Sequence, residues 1–201
     1  MVVLAAGRGS RFGAAAKLLA ELHGRPVLQH VLDAAAQVEP SVTVVVLGDQ
    51  AAAAEAAIRW RTERRVVNPR PGRGLSSSVR LGLATLDDAA SHPTGSAVEL
   101  MAALILLGDQ PHVSVPVLRA LLGAPLHRPI VVPRYAEGGG PNPVLLRRPA
   151  WSLTAALDGD RGFGPLIALH SGSVMEIPVP GSNPDIDTLA DLQALEAGAA
   201  D

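Results

Sequence analysis

The sequence predicts an α/β fold with a mostly parallel central sheet and helices on both of its faces. Short apolar segments recur along the chain, and the clearest of them cover residues 1–6, 41–47 and 102–107. Amphipathic segments of helical periodicity lie between them. Strands that are apolar throughout, separated by such helices, are typical of a parallel sheet that is covered on both sides. Because the 201 residues contain neither an internal repeat nor a long linker, we expect one domain over 1–201.

The first half of the chain begins with a predicted strand over 1–6 that leads into a glycine turn at Gly7. A helix is expected to begin near Gly24, since Pro26 suits a first helical turn and apolar residues follow at helical spacing. The other elements predicted in this half are a β-branched strand over 41–47, an alanine-rich helix over 51–60, a strand over 64–67, a loop over 69–74 and a helix over 76–86. An exposed connection over 91–99 is expected to follow.

The second half opens on the strand over 102–107, which ends in Gly-Asp-Gln-Pro at 108–111. The remaining predicted elements are a helix over 115–122, a strand over 129–132, a glycine-rich loop over 134–143, short helices over 151–157 and 165–170, a strand over 174–179 and a helix over 189–197. Ligands of parallel sheets bind at the carboxyl ends of the strands. We therefore expect the loops that follow the first strand and the 102–107 strand to face one crevice.

Composition excludes several classes of site. The chain has no cysteine, which rules out disulfides, thiolate metal sites and a cysteine nucleophile. Its formal net charge of -2 does not favour a nucleic-acid surface. No apolar run reaches the roughly 20 residues that span a bilayer, and no signal-peptide pattern opens the chain. We expect a soluble, cytoplasmic protein that binds neither nucleic acid nor membrane.

The segment 7–17 is rich in glycine and carries Arg11 and Lys17. Glycines let backbone amides approach an anion closely, and two added cations make a site suited to a polyphosphate. Lys17 is the single lysine of the chain beside 16 arginines, and its compact charge differs in geometry from a guanidinium. The segment lacks the Walker A ending and the glycine spacing of a dinucleotide fingerprint. A solvated turn, with Lys17 a chance survivor of a bias toward arginine, is the alternative.

Two aspartates could hold a hard cation. Asp109 follows the apolar strand 102–107 directly, and Asp187 precedes the last predicted helix. Mg²⁺ usually takes one or two protein carboxylates together with substrate phosphates, so this pair predicts a magnesium site. The alternative is helix capping, in which Asp187 or Thr188 caps the last helix and Asp191 supports its first turn.

Three consecutive serines, Ser76, Ser77 and Ser78, lie at the start of a predicted helix. Hydroxyls and free amides at such a position can bind a base, a ribose or a phosphate, although an ordinary N-terminal cap is the alternative. The six histidines lack the paired spacing of a zinc helix, and no Gly-x-Ser-x-Gly motif indicates a hydrolase.

Seven segments together resemble the MobA-like nucleotidyltransferases. They are LAAGRGSRFGAAAK at 4–17, HGRPVLQHVLDAA at 23–35, NPRPGRGLSSSVRLGL at 68–83, LLGDQP at 106–111, NPVLL at 142–146, LDGDRG at 157–162 and DIDTLADL at 185–192. The order and the extent of the matches make the resemblance far more specific than any single motif. Within the family, LAAG and GLSSSV are most similar to the molybdenum cofactor cytidylyltransferases.

The resemblance implies a Rossmann-like nucleotidyltransferase fold, with a nucleotide half over about 1–111 and an acceptor half over about 112–201. It also implies Mg²⁺-dependent transfer of CMP from CTP to the phosphate of molybdenum-bearing molybdopterin, with release of pyrophosphate. Arg11, Lys17 and Asp109 would be catalytic, and Asp109 and Asp187 would hold the metal. The nucleotide would contact Leu4, Ala5, Ala6, Gly7, Gly9, Arg11, Lys17, Ser76, Ser77, Ser78 and Asp109. The acceptor would contact Gln110, Asn142, Pro143 and Asp160.

Other functions fit the same residues. One is a guanylyltransferase, or a nucleotidyltransferase for a different small phosphate. Another is a non-catalytic chaperone that binds the cofactor and delivers it to a molybdoenzyme, and such a recipient or a maturation chaperone is also a partner we expect for the enzyme. The chaperone would bind nucleotide without releasing pyrophosphate. A dinucleotide-dependent oxidoreductase fits the alternating elements but not the glycine spacing.

Overall fold

A computed structural model describes residues 1–7, 16–91 and 99–197. In these ranges the strands are β1 (Val2–Ala5), β2 (Glu21–Leu22), β3 (Arg25–Pro26), β4 (Val44–Leu47), β5 (Arg64–Val67), β6 (Ala102–Leu107), β7 (Ile130–Tyr135), β8 (Val144–Arg147) and β9 (Val174–Val179). Seven of them form one sheet in the order β5-β4-β1-β6-β8-β7-β9, and β2 pairs with β3 in a separate hairpin.

The α-helices of the same ranges are α1 (Ala16–Leu19), α2 (Val27–Ala36), α3 (Ala51–Ala57), α4 (Leu75–Ser91), α5 (Val115–Leu122), α6 (Gly164–Leu169) and α7 (Leu189–Ala197). Short 3-10 segments cover Pro71–Arg73, Arg148–Ala156 and Ser171–Ser173. No helix among the described residues is long and apolar enough to cross a membrane.

Helices cover both faces of the sheet, as the apolar strands predict. Val3 and Ala5 of β1 pack with residues of α2 and α5 on one face, whereas Val2 and Leu4 pack with residues of α4 on the other. All four of these β1 side chains are buried. A strand without a solvent-facing side explains why its sequence shows no alternation of apolar and polar residues.

One strand of the main sheet runs against the others. β8 pairs antiparallel with both β6 and β7, whereas the remaining neighbours are parallel. The sequence predicted no strand here, because the run from Val144 to Leu146 is short and follows two prolines. Its apolar side chains are nevertheless buried, since β8 lies inside the sheet between β6 and β7.

The β2–β3 hairpin was also missed by the sequence analysis. Its turn residues His23 and Gly24 have φ angles of 49° and 73°, the left-handed conformation that two-residue hairpin turns require. Pro26 then has ψ of 140° and stands before the helix, so α2 begins at Val27 and not near Gly24. Further corrections concern element length: α3 ends at Ala57, and β7 extends to Tyr135.

The carboxyl ends of β1 and β6 lie side by side. Val2 to Leu4 pair in parallel with Ile105 to Leu107, and the amide of Gly108 donates to the carbonyl of Leu4 at 2.9 Å. The chain after β1 and the Gly108–Asp109 turn therefore leave the sheet at one edge. This agrees with the crevice expected from the sequence.

Candidate active site

A cleft of about 840 Å³ opens at this edge of the sheet. Its lining includes residues from β1, α1, the start of α4 and the turn after β6. They are Leu4, Ala6, Gly7, Lys17, Leu18, Pro71, Gly72, Gly74, Leu75, Ser78, Leu107, Asp109, Asp160 and Asp187. The volume lies within the roughly 300–1,000 Å³ typical of small-molecule sites.

Lys17 lies between two carboxylates in the lining of the cleft. Its Nζ is 2.7 Å from Asp109 Oδ2 and 2.7 Å from Asp187 Oδ1. The Lys17 side chain is 11% exposed, whereas that of Asp187 is 58% exposed. Burial by itself lowers the pKa of Lys17, but the charges and hydrogen bonds of Asp109 and Asp187 outweigh it and raise the pKa above its ordinary value. Lys17 is therefore a firmly protonated cation in this arrangement.

The carboxylates around Lys17 also suit a divalent metal ion. Asp109 Oδ2 and Asp187 Oδ1 each lie 2.7 Å from the same Lys17 nitrogen, so both oxygens face the position of one positive charge. Carboxylate oxygens are the ligands that Mg²⁺ prefers, and two of them suffice when substrate phosphates complete the shell. Within the described ranges no group of three His, Cys, Asp or Glu side chains could hold a metal alone. The residues fit a metal that shares its ligands with a bound phosphate.

Thr188 and Asp191 cap the last helix and leave the Asp187 carboxylate for Lys17. The amide of Asp191 donates to Thr188 Oγ1 at 3.2 Å, and Asp191 Oδ2 accepts from the amides of Asp187 and Thr188 at 2.9 and 2.7 Å. This is the reciprocal pattern of a capping box. Hydrogen bonds from Thr188 and from these amides hold the pKa of Asp191 below its usual value. The capping interpretation thus applies to Thr188 and Asp191.

The serine-rich start of α4 is organised by Asn68, a residue that the sequence analysis did not select. Asn68 is 4% exposed, and its Nδ2 donates to Ser77 Oγ at 2.8 Å and to Ser78 Oγ at 3.0 Å. Ser78 lines the cleft, whereas Ser76 and Ser77 bond backbone carbonyls of the preceding turn. Ser78 is thus the serine best placed to contact a ligand.

Asp160 lies at the N-terminus of α4 and lines the cleft beside it. Its Oδ1 accepts from the amide of Leu75 at 2.9 Å, and the carbonyl of Gly159 accepts from the amide of Ser76 at 3.1 Å. Gly74 makes this contact possible: its φ is 82°, and a Cβ there would lie 2.3 Å from the Gly159 carbonyl carbon. The Gly-Asp-Arg-Gly turn is therefore packed against the helix that borders the nucleotide half.

Three residues predicted to contact the acceptor lie away from the cleft lining. Gln110 is buried and exchanges amide hydrogen bonds with Asn183. The carbonyl of Asn142 accepts from the hydroxyl of Tyr135 at 3.1 Å, and the Asn142–Pro143 peptide bond is cis. Burial raises the pKa of Tyr135 to about 12. An acceptor role for Gln110, Asn142 and Pro143 remains a prediction.

The chain matches one known family over most of its length. The MobA-like NTP transferase domain matches residues 1–174 of the chain. The chain belongs to the MobA-like NTP transferase family. The bifunctional protein GlmU of Bordetella petrii is 31% identical over 178 residues, which cover 88% of this chain. The chain spans about a third of the length of such curated relatives, 33% in this case.

Solved structures of similar size support the same fold for this MobA-like chain. Rv0371c from Mycobacterium tuberculosis H37Rv has a TM-score of 0.80 and 32% identity, over 98% of this chain and 95% of that chain. A complex of Rv0371c with manganese has a TM-score of 0.79 and 31% identity, over 98% and 96% of the two chains. The mostly parallel seven-stranded sheet with helices around it is thus the Rossmann-like nucleotidyltransferase fold that the resemblance implied.

The remaining site predictions divide into two groups. Leu4, Ala6 and Gly7 line the cleft as expected, whereas Ala5 borders a separate cavity of about 20 Å³. Gly9 and Arg11, by contrast, lie outside the residues that the structure describes.

Asp185, a carboxylate of the 185–188 motif that was not selected as a site residue, also lies near the carboxylate pair. Partial burial and the negative charge of Asp109 raise its pKa above the usual value. The sequence gives one signal for Asp185, since it stands two residues before Asp187 in the motif at 185–188.

Proposed function

We propose that this MobA-like protein transfers CMP from CTP to the phosphate of molybdenum-bearing molybdopterin, releases pyrophosphate and depends on Mg²⁺. The observation that carries the proposal is Lys17, held between Asp109 and Asp187 in the lining of a cleft large enough for a nucleotide. Family membership supports nucleotidyl transfer, and the motifs LAAG and GLSSSV support cytidine as the nucleoside.

The proposed reaction requires little acid–base catalysis by the protein. An oxygen of the acceptor phosphate attacks the α-phosphorus of CTP and forms a new P–O bond. The bond from the α-phosphorus to its bridging oxygen breaks, and pyrophosphate leaves with that electron pair. Because the phosphate nucleophile is already ionised, catalysis consists of positioning and charge neutralisation.

Lys17 has the properties that this chemistry requires. It is a protonated ammonium at the cleft, on the flexible stem that lets a lysine move to a phosphate. When phosphates are bound, Lys17 can leave the carboxylates and neutralise charge at the α-phosphate. Asp109 and Asp187 would then hold Mg²⁺, which would supply a Lewis acid beside the phosphates.

Other residues of the cleft lining suit the nucleoside. Leu4, Ala6 and Gly7 present small side chains and backbone beside β1, and Ser78 adds a hydroxyl from α4. Asn68 donates to that hydroxyl oxygen, which leaves the hydroxyl proton available for an acceptor atom of the base. We assign the cytosine and the ribose to these residues.

Similar structures support a divalent ion in the proposed reaction. A solved structure of Rv0371c, which is 31% identical to this chain, is a complex with manganese. Manganese and magnesium share a preference for carboxylate and phosphate oxygens. We propose Mg²⁺ as the working ion and the cytoplasm as the working compartment.

A thermal-shift panel tests the nucleotide assignment. CTP, GTP, ATP and UTP are each added with and without Mg²⁺, and a ligand at 100 times its Kd raises stability by about 2.7 kcal/mol. A Mg²⁺-dependent shift that is largest for CTP is the expected result. A shift selective for GTP would assign the protein to guanylyl transfer, and nucleotide binding without pyrophosphate release would favour the non-catalytic chaperone.

A further inference from the structure

The two carboxylates around Lys17 belong to segments that are far apart in the sequence. A buried pair of side-chain amides joins these two segments. Asp109 lies after β6, and Asp187 lies before α7. The residue after Asp109 is Gln110, whose Nε2 donates to the carbonyl of Asn183 at 3.2 Å. Asn183 Nδ2 donates in return to Gln110 Oε1 at 3.1 Å.

A backbone hydrogen bond extends this connection to the carboxylates themselves. The amide of Ile186 donates to the carbonyl of Asp109 at 3.0 Å. Asp109 therefore takes part in a hydrogen bond between the two segments through its own carbonyl. Asp187 is one residue away from Ile186, which donates that bond. These three bonds join the segment that carries Asp109 to the segment that carries Asp187.

Burial makes the amide pair rigid, but it also has a cost. Gln110 is 3% exposed and Asn183 is 2% exposed. Among the described residues, Asn183 Oδ1 has no hydrogen-bond partner. A buried polar atom without a partner destabilises the folded state, and two apolar side chains could fill the same space without it. A local arrangement that lowers stability is expected where geometry serves function.

We propose that Gln110 and Asn183 are positioning residues, which hold Asp109 and Asp187 at the separation that binding of a divalent cation requires. The inference rests on the proposed function, because it takes these carboxylates as the metal ligands. It assigns to Gln110 a role in the metal site in place of contact with the acceptor. Partners that orient metal ligands typically change metal affinity by about 10-fold to 100-fold when they are removed.

The test is Mn²⁺ binding by the protein with CTP present, because a phosphate must take Lys17 from the carboxylates before the metal can bind there. The EPR signal of free Mn²⁺ is compared with that of the same mixture of CTP and Mn²⁺ without protein. Gln110→Met and Asn183→Leu remove the amides and nearly keep the side-chain volumes, so either variant suffices if the other does not fold. We expect each variant to bind Mn²⁺ about 10-fold or more weakly than the wild type. We expect the double variant to lose no more than the stronger single effect, because the two amides act as a unit.

Gln29→Met is the matched control for general damage to the fold. Gln29 is also a buried amide, with hydrogen bonds to Asp33 and from the amide of Arg59, but it does not line the cleft. It should lower the melting temperature and leave Mn²⁺ affinity unchanged. If Gln29→Met weakens Mn²⁺ binding as much as Gln110→Met does, the positioning role is wrong.

Asp109→Asn separates failure of this inference from failure of the proposed metal site. If Asp109→Asn loses Mn²⁺ binding while folded Gln110→Met and Asn183→Leu retain wild-type affinity, the amide pair has no positioning role and the metal site stands. If Asp109→Asn binds Mn²⁺ as the wild type does, Asp109 is not a ligand and both proposals are overturned.

Discussion

The ammonium nitrogen of Lys17 lies 2.7 Å from a carboxylate oxygen of Asp187, although 170 residues separate the two in the chain. Asp109 completes the arrangement at the same distance. One cation thus neutralises two carboxylates that would otherwise repel each other. A metal ion that binds between these carboxylates must displace the ammonium, so Lys17 and the metal compete until a phosphate offers Lys17 another partner.

Replacing Lys17 should therefore have opposite effects on turnover and on metal binding. For Lys17→Met we expect turnover to fall by roughly 10²–10³-fold, because an electrostatic contact to the transferred phosphate is lost. Mn²⁺ affinity of the nucleotide-free protein should rise, because the competing cation is gone. Pyrophosphate release and Mn²⁺ EPR measure the two effects.

The control for Lys17→Met is Arg134→Ala, which removes an exposed cation that is paired with Glu176 and is not part of the cleft lining. It should change neither quantity. Wild-type turnover in Lys17→Met would remove Lys17 from the proposed mechanism.

Asp109→Asn should weaken the dependence of turnover on Mg²⁺. The amide keeps the shape of the side chain but removes the charge that a hard cation requires, so a higher Mg²⁺ concentration should be needed for half-maximal rate. Initial rates at several Mg²⁺ concentrations measure this. Asp87→Asn, which alters an exposed carboxylate paired with Arg148, is the control. An unchanged Mg²⁺ response in Asp109→Asn would place the metal elsewhere.

Asp160 should contribute to stability as the cap of α4. Asp160→Ala leaves the amide of Leu75 without its side-chain acceptor, and loss of such a cap costs about 1 kcal/mol. Asp160→Asn retains an acceptor oxygen and should keep most of that stability. Urea unfolding of the two variants measures the difference. If Asp160→Ala and Asp160→Asn lose the same stability, the negative charge of Asp160 is responsible and not its role as a cap.

Asp33 should make the free energy of unfolding depend on pH under acidic conditions. Although partial burial raises its pKa, hydrogen bonds from Arg61 and Gln29 and the charges of Arg61 and Arg25 lower it overall. This contribution is fully present above the unfolded-state pKa of about 3.9, and it is lost as pH falls through the lower folded-state pKa.

The matching experiment compares the wild type with Asp33→Asn in urea at several pH values. We expect the wild type to be more stable by about 0.5–1 kcal/mol near neutral pH, since the ion pairs are largely exposed. The difference should shrink below pH 4. A difference that stays constant down to the acidic limit would mean that the Asp33 charge has no stabilising partner in the folded protein.

The sequence predicted what depends on local pattern and on sheet geometry. β6 and α5 match their predicted bounds because each is a clear apolar or amphipathic run. Lys17 and Asp109 line one cleft, as expected for the loops after two neighbouring strands, because parallel strands bring their carboxyl ends to one edge. The ion pairs of Lys17 with Asp109 and Asp187 were not part of that prediction.

The sequence could not predict features that depend on distant partners. β8 is a strand because β6 and β7 flank it, and three apolar residues after two prolines do not reveal those neighbours. Asn68 and Asn183 are polar residues in loops, and only the fold shows that each is buried against a partner at the site. Their importance lies in contacts, which no spacing along the chain encodes.

The most direct test of the account is the complete proposed reaction in one vessel. Wild-type protein, CTP, Mg²⁺ and molybdenum-bearing molybdopterin are mixed, and both pyrophosphate and the mass of the acceptor are measured. The account predicts pyrophosphate in equal amount to an acceptor that has gained one CMP, and neither product with Lys17→Met on the same time scale. An acceptor of unchanged mass, in a sample where CTP binding is demonstrated, would contradict it.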